Sequence, residues 1–280
     1  MLIVQPMSIF FSYNDKFYPE GTPVVTPDSR AIRYGDGLFE SVKIINGKII
    51  HAELHFQRLI KGLSLLEFDI PKFFSFQKFE SDILYLAQKN GHLSSARVRY
   101  AVLRGNGGLY DAENHHPNII IQTWPLTASV SLNENGLVMG VYHRTHKPCD
   151  ELSNLKNNNY LPNVLAALYA QKNKFNDVVL LNVHNRVCES TIANLFIVKG
   201  EKVFTPSLAE GCVAGVYRQH VIDTLQKNGV DCIETAITVE ELYNADEAFV
   251  TNSVANIKWI KQIDDTAYGS AFIAKIYSLF

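Results

Sequence analysis

Residues 41–50 read Ser-Val-Lys-Ile-Ile-Asn-Gly-Lys-Ile-Ile, two apolar runs joined by the pair Asn46-Gly47. That dipeptide is the strongest short-range hairpin signal, because both central positions of the favoured turn need φ above zero. Helical spacing then takes over. Leu59, Leu63 and Leu66 predict a helix over 52–66, and Pro71 bars its continuation. A second helix is predicted over 76–90, burying Phe76, Phe79, Ile83 and Leu86 and meeting Gly91 as a C-terminal cap. Strands are predicted over 97–104 and 118–124, where polar and apolar residues alternate. Further on come a strand over 137–143, a helix over 160–174, strands over 178–183, 193–198 and 202–205, and a helix from Gly215. Thr238 and Glu241 form a capping box for a short helix. Hairpins and helices mix without regular β-α-β alternation, which predicts an α+β fold.

The chain has 280 residues, 47% of them hydrophobic and 19% charged, so it can bury enough apolar surface to fold, and its length predicts two domains. Residues 122–129 are placed as the linker, at the point where the pattern gives way to the polar turn residues of 125–136. That leaves an N-terminal α/β domain over 1–121 and a C-terminal domain over 130–280. With 26 Lys plus Arg against 28 Asp plus Glu, the net charge of -2 offers no field for nucleic acid or anionic lipid. No run approaches the roughly 20 apolar residues that span a bilayer. The apolar first ten residues lack the charged start of a signal peptide. Cys149, Cys188, Cys212 and Cys232 form no C-x-x-C. A reduced, cytoplasmic chain is expected.

Three features are set aside. His51 and His55 stand four apart with Glu53 between them, but a zinc-protease helix needs its Glu directly after the first His; solvated histidines at a helix start are expected instead. Gly105, Gly107 and Gly108 match no phosphate-loop pattern and read as a flexible hairpin loop. His115 and His116 precede Pro117 in a polar loop and read as exposed.

The chemistry lies between Lys156 and Arg218. Lys156 to Tyr160 reads Lys-Asn-Asn-Asn-Tyr just before a helix; residues 189–196 read Glu-Ser-Thr-Ile-Ala-Asn-Leu-Phe; Thr205-Pro206 follows; residues 213–218 read Val-Ala-Gly-Val-Tyr-Arg and open another helix. With Tyr34 to Glu40 (YGDGLFE), His55 to Leu59 (HFQRL) and Phe249 to Ser253 (FVTNS), these runs resemble the class IV, fold-type IV pyridoxal-phosphate enzymes over nearly the whole chain. That family includes branched-chain aminotransferase, D-amino-acid aminotransferase and aminodeoxychorismate lyase.

The resemblance implies a two-domain fold with a small N-terminal α/β domain, a larger β-barrel-like C-terminal domain with flanking helices, the cofactor between them, and a homodimer. Lys156 would form the cofactor's Schiff base and act as the catalytic base. Glu189 would hold the pyridine nitrogen protonated; its alternative is a strand-edge carboxylate paired with Arg186. Arg58, the helix start at Gly215, Val216 and Tyr217, and Ser253 would bind the phosphate. Tyr160, Asn194 and Val213 would complete the cofactor contacts, and Tyr34, Phe39, Arg97, Arg99, Val254 and Ala255 the substrate pocket. Arg97 and Arg99 share one strand face, so either could hold a substrate carboxylate. Tyr160 lies four residues after the lysine, as in the D-amino-acid and lyase branches. Transfer of an amino group between an amino acid and a 2-oxo acid is the expected activity, with release of p-aminobenzoate and pyruvate from aminodeoxychorismate as the alternative.

Overall fold

A computed structural model describes residues 9–111, 114–127 and 131–280. Residues 1–8 and positions 128–130, where the expected linker ends and the second domain begins, lie outside that description. The chain divides into two compact units, Met1–Ala128 with Lys156–Asn159, and Ser129–Leu155 with Tyr160–Phe280.

The first unit contains β1 (Phe10–Tyr13), β2 (Lys16–Pro19), α1 (Arg30–Tyr34), β3 (Gly37–Ile45), β4 (Lys48–Ile49), α2 (Ala52–Leu65), α3 (Phe76–Lys89), β5 (Ser95–Leu103) and β6 (Asn118–Pro125). Its six strands form one antiparallel sheet in the order β2-β1-β6-β5-β3-β4. Asn46 and Gly47 turn the β3–β4 hairpin with φ of 49° and 74°, the left-handed region the dipeptide predicts. Period-two alternation sorts the sheet's residues: Val42, Ile44, Val98, Tyr100 and Val102 are buried on the face that α2 and α3 cover, where the Phe79 ring lies 4.8 Å from that of Tyr100. Burying each such side chain contributes about 1.5–3 kcal/mol. The opposite face carries Phe39, Lys43, Arg97 and Arg99.

The strand expected over 118–124 forms as β6: Gln122–Pro125 pair with Arg99–Ala96, and Thr123 is buried in continuation of Ile119 and Ile121. Gly105–Gly108 are fastened rather than loose, since Arg30 N–H donates to Gly105 C=O (3.3 Å) and Gly107 N–H to Asp28 C=O (3.1 Å).

The second unit contains β7 (Leu137–Lys147), α4 (Leu161–Lys172), β8 (Asp177–Asn182), β9 (Val187–Ser190), β10 (Asn194–Lys199), β11 (Lys202–Pro206), α5 (Val216–Lys227), β12 (Cys232–Thr235), α6 (Val239–Tyr243), β13 (Glu247–Asn252), β14 (Asn256–Ile263), β15 (Thr266–Ala267) and α7 (Ala271–Tyr277). The sheet runs β12-β11-β10-β13-β14-β7-β8-β9, with β15 on β14. It curls: Ser190 N–H donates to Ala193 C=O (2.7 Å), returning the edge strand β9 toward β10. Met139, Val141, Val179, Leu181, Leu195, Ile197, Ala248 and Val250 fill the inside of the curl. The alternate residues face out, Phe196, Val198 and Phe249 against Tyr217, Val221 and Leu225 of α5, and Val178 and Leu180 against Ala166 and Ala170 of α4. Thr238 and Glu241 close the predicted capping box at α6.

Candidate active site

In the second unit the chemistry gathers on the outer face of the curled sheet, where α5 begins. Glu189 on β9 is buried at 4% exposure. One of its oxygens accepts the Val213 N–H (2.9 Å) and the other the ammonium of Lys147, which makes a salt bridge with it. Arg186 instead pairs with Glu210 (2.6 Å), so the expected alternative partner of Glu189 is replaced by Lys147. Asn194 Nδ2 donates to the Val213 C=O (2.9 Å) and fixes that segment from below. Gly215 is the N-cap of α5, with no side chain capping the helix. A Cβ there would lie 2.0 Å from Asn194 Oδ1. Glu189, Asn194, Val213 and Gly215 therefore form one cluster, and Val216 and Tyr217 begin the helix beside it. Tyr160 is the N-cap of α4. Ser253, Val254 and Ala255 form the β13–β14 turn, where Asn252 Oδ1 accepts the N–H groups of Val254 (3.0 Å) and Ala255 (2.7 Å).

In the first unit, Lys156–Asn158 run along the open edge of β3. Phe39 N–H donates to Lys156 C=O (2.9 Å), Asn158 N–H donates to Gly37 C=O (3.1 Å), and Leu38 pairs with Asn157. This lays the Lys156 ammonium 4.7 Å from the centre of the Phe39 ring. Arg99 stacks on the same ring at 3.7 Å and donates to Asn158 Oδ1 (3.1 Å). Arg97 is engaged by Trp124 at 4.8 Å, and Tyr34, at the end of α1, lies under Arg30 at 5.7 Å.

Behind β3, Arg58 makes a fork to Glu40 through Nε (2.8 Å) and Nη2, and His55 Nδ1–H donates to Glu40 Oε2 (2.6 Å). His55 is fully buried, which corrects its reading as solvated: the apolar face of α2 carries it inward together with Leu59 and Leu63. Burial alone would raise the Glu40 carboxyl, but Arg58 and His55 outweigh it and hold the group at about 2. Burial pushes His55 below its ordinary value, so near pH 7 it is neutral and its Nε2 is a buried acceptor with no hydrogen-bond partner among the described residues. His115 is also half-buried rather than exposed, taking a hydrogen bond from Arg104 at 2.6 Å.

A family model for class IV amino-transferases matches residues 37–263. The chain belongs to the class IV aminotransferases. Among the relatives of this class IV chain, aminodeoxychorismate lyase of Vibrio harveyi is 32% identical over 86% of this chain and 89% of its own length. A putative branched-chain-amino-acid aminotransferase of Methanocaldococcus jannaschii is 30% identical over 94% of this chain and 91% of its own. A solved structure, a putative 4-amino-4-deoxychorismate lyase from Legionella pneumophila, superposes with a TM-score of 0.82 at 26% identity and covers 93% of this chain and 95% of that one. The architecture is accordingly fold-type IV, with a curled sheet in the second unit.

The family's cofactor is pyridoxal phosphate, and the residues of this class IV chain fit it. A buried, ion-paired carboxylate suits a pyridinium, and a helix start without a capping side chain suits a phosphate. Thr251 adds a third sign: it stands opposite Asn194 in register, so on the same sheet face, and its buried hydroxyl has no hydrogen-bond partner among the described residues. Sequence reasoning missed Lys147, Glu40 and Thr251. Glu40 was within reach, since it ends the Tyr34–Glu40 run, whereas Lys147 reads as one more strand-end lysine.

Proposed function

We propose that this chain is a pyridoxal-phosphate-dependent aminotransferase that moves an amino group between an amino acid and a 2-oxo acid, acting as a homodimer in the cytoplasm. The observation that carries the reading is the Glu189–Val213–Gly215 cluster, which supplies an ionic partner for a pyridine nitrogen and an open helix start along one short stretch of chain. When bound, the cofactor supplies an electron sink that lets a substrate α-carbon release its proton.

Lys156 would supply the amine that holds the cofactor and would move the proton taken from the substrate α-carbon on to the cofactor. Glu189 would hold a proton on the ring nitrogen. Arg58, Ser253 and the N–H groups at Val216 and Tyr217 bind the phosphate; Tyr160, Asn194 and Val213 hold the ring. Arg99, steered by the Phe39 ring and Asn158, takes the substrate carboxylate, with Arg97 beside it on the strand and Tyr34, Val254 and Ala255 shaping the pocket.

Elimination by an aminodeoxychorismate lyase is the second reading. Lys43 stands opposite Arg97 in register, so three cations, Lys43, Arg97 and Arg99, share a face that would suit a dicarboxylate; the Vibrio harveyi relative favours the same reading. One experiment separates the two. The loaded protein is expected to be yellow, to be bleached by a stoichiometric D- or L-amino acid, and to be restored by a 2-oxo acid. Release of p-aminobenzoate and pyruvate from aminodeoxychorismate, with no amino acid bleaching the cofactor, would replace transfer by elimination. Borohydride should fix the cofactor on Lys156, and Lys156→Ala should abolish that adduct; an adduct on another lysine would refute the assignment.

A further inference from the structure

We infer that Lys147 is a positioning residue for the cofactor's ring nitrogen: its ammonium, locked onto one oxygen of Glu189, keeps the proton shared between Glu189 and that nitrogen on the nitrogen. This deepens the reading of the site given above and rests on it.

The geometry is specific. Lys147 ends β7 after a bulge, where the pairing with β8 jumps from Tyr142–Leu180 to His146–Leu181 and Lys147–Asn182. The jump sets its side chain on the outer face of the sheet, against β9. Its ammonium and the Glu189 carboxylate are both largely buried, with side-chain exposures of 13% and 5%. Among the described residues, Glu189 is the side chain with which Lys147 makes an ion pair.

The other titratable groups near this pair are Cys188 beside Glu189 on β9, Cys212 on the segment leading to α5, and Tyr160 ahead of α4, with Arg218 of α5 acting on Cys212. Burial pushes Cys188 well up and Cys212 up to about 12, so both thiols stay neutral near pH 7. Burial alone would lower the Lys147 ammonium, but the Glu189 carboxylate outweighs it and raises the group above its ordinary value. Lys147 is therefore a fixed positive charge beside Glu189 at any working pH.

A fixed cation acts on a proton shared between a carboxylate and a pyridine nitrogen in one direction. Moving the proton from nitrogen to oxygen brings positive charge closer to the ammonium, and in a buried, weakly screened site that is costly. With Lys147 present, the ionic arrangement, carboxylate facing pyridinium, is favoured. With a neutral residue there, the carboxyl can take the proton and leave the ring nitrogen uncharged, which weakens the electron sink.

The experiment loads the protein with pyridoxal phosphate labelled with 15N in the ring and reads that nitrogen by NMR near pH 7. The unsubstituted chain and Lys147→Arg should give a pyridinium signal. Lys147→Met should shift the signal toward neutral pyridine, and Lys147→Gln, which keeps a hydrogen-bond donor without the charge, should do the same should the methionine variant fail to fold. A neutral variant that binds the cofactor and keeps a full pyridinium signal overturns the inference alone. Failure of the unsubstituted chain to take up the labelled cofactor overturns the cofactor reading and this inference with it.

Discussion

Among single residues, buried charge governs how stability depends on pH, and Glu40 is the clearest case. Its carboxyl is held at about 2 against an ordinary 4.5. A carboxyl lowered by folding contributes stability that is complete above its ordinary value and is lost as pH falls toward the folded value; this shift corresponds to about 3 kcal/mol. His55 is lowered too, so its contribution is complete above its ordinary 6.5 and declines as the unfolded chain takes up a proton below that. The urea midpoint should therefore fall in two stages on acidification, first below 6.5 and then below 4.5. Glu40→Gln should remove the second stage and cost about 3–5 kcal/mol at pH 7, because it leaves Arg58 without its carboxylate. A midpoint that stays level from neutral pH down to about 3 would contradict the buried Glu40 group. These ion pairs were the least legible part of the sequence. The spacing of His55 and Arg58 showed the α2 motif but not which side of the helix met a carboxylate on β3, and the bulge that aims Lys147 leaves no local signature.

Single elements were more legible where local chemistry decides. Asn46-Gly47 specified its turn, and Thr238 with Glu241 specified the start of α6, because each depends on residues at most three apart. Strand β6 fills the range expected from its alternation, and its partner β5, on the next sheet position, was not legible because that pairing is set by contacts between separate stretches of chain. The start of α5 lies between these cases: its position was legible at Gly215, but its dependence on Asn194 was not. Gly215→Ala keeps an acceptable backbone, at φ of -67°, yet its Cβ would displace the Asn194 amide. That should release the Val213 C=O, cost about 1–3 kcal/mol of stability, and weaken cofactor binding by about tenfold or more. Denaturant titration and fluorescence titration with pyridoxal phosphate measure the two effects; unchanged affinity would remove this helix start from the phosphate site.

Taken as a whole, the molecule shows what composition can and cannot establish. A net charge of -2 and 47% hydrophobic residues indicated a folded chain, and among the described residues no helix is long and apolar enough to cross a membrane. The proposed homodimer should give about twice 31.5 kDa by light scattering; full activity retained by a monomer on dilution would refute it. The pairing of Leu38 with Asn157 also orders events in time. These two residues are 119 positions apart, so β3 leaves the ribosome long before the segment that completes its edge. At about 5–20 residues per second, the nascent chain waits roughly 6–24 s with that edge open. Lys156 joins β3 only when this wait ends, so its placement beside Phe39 comes after about half of the protein has been synthesised and before most of the second unit exists.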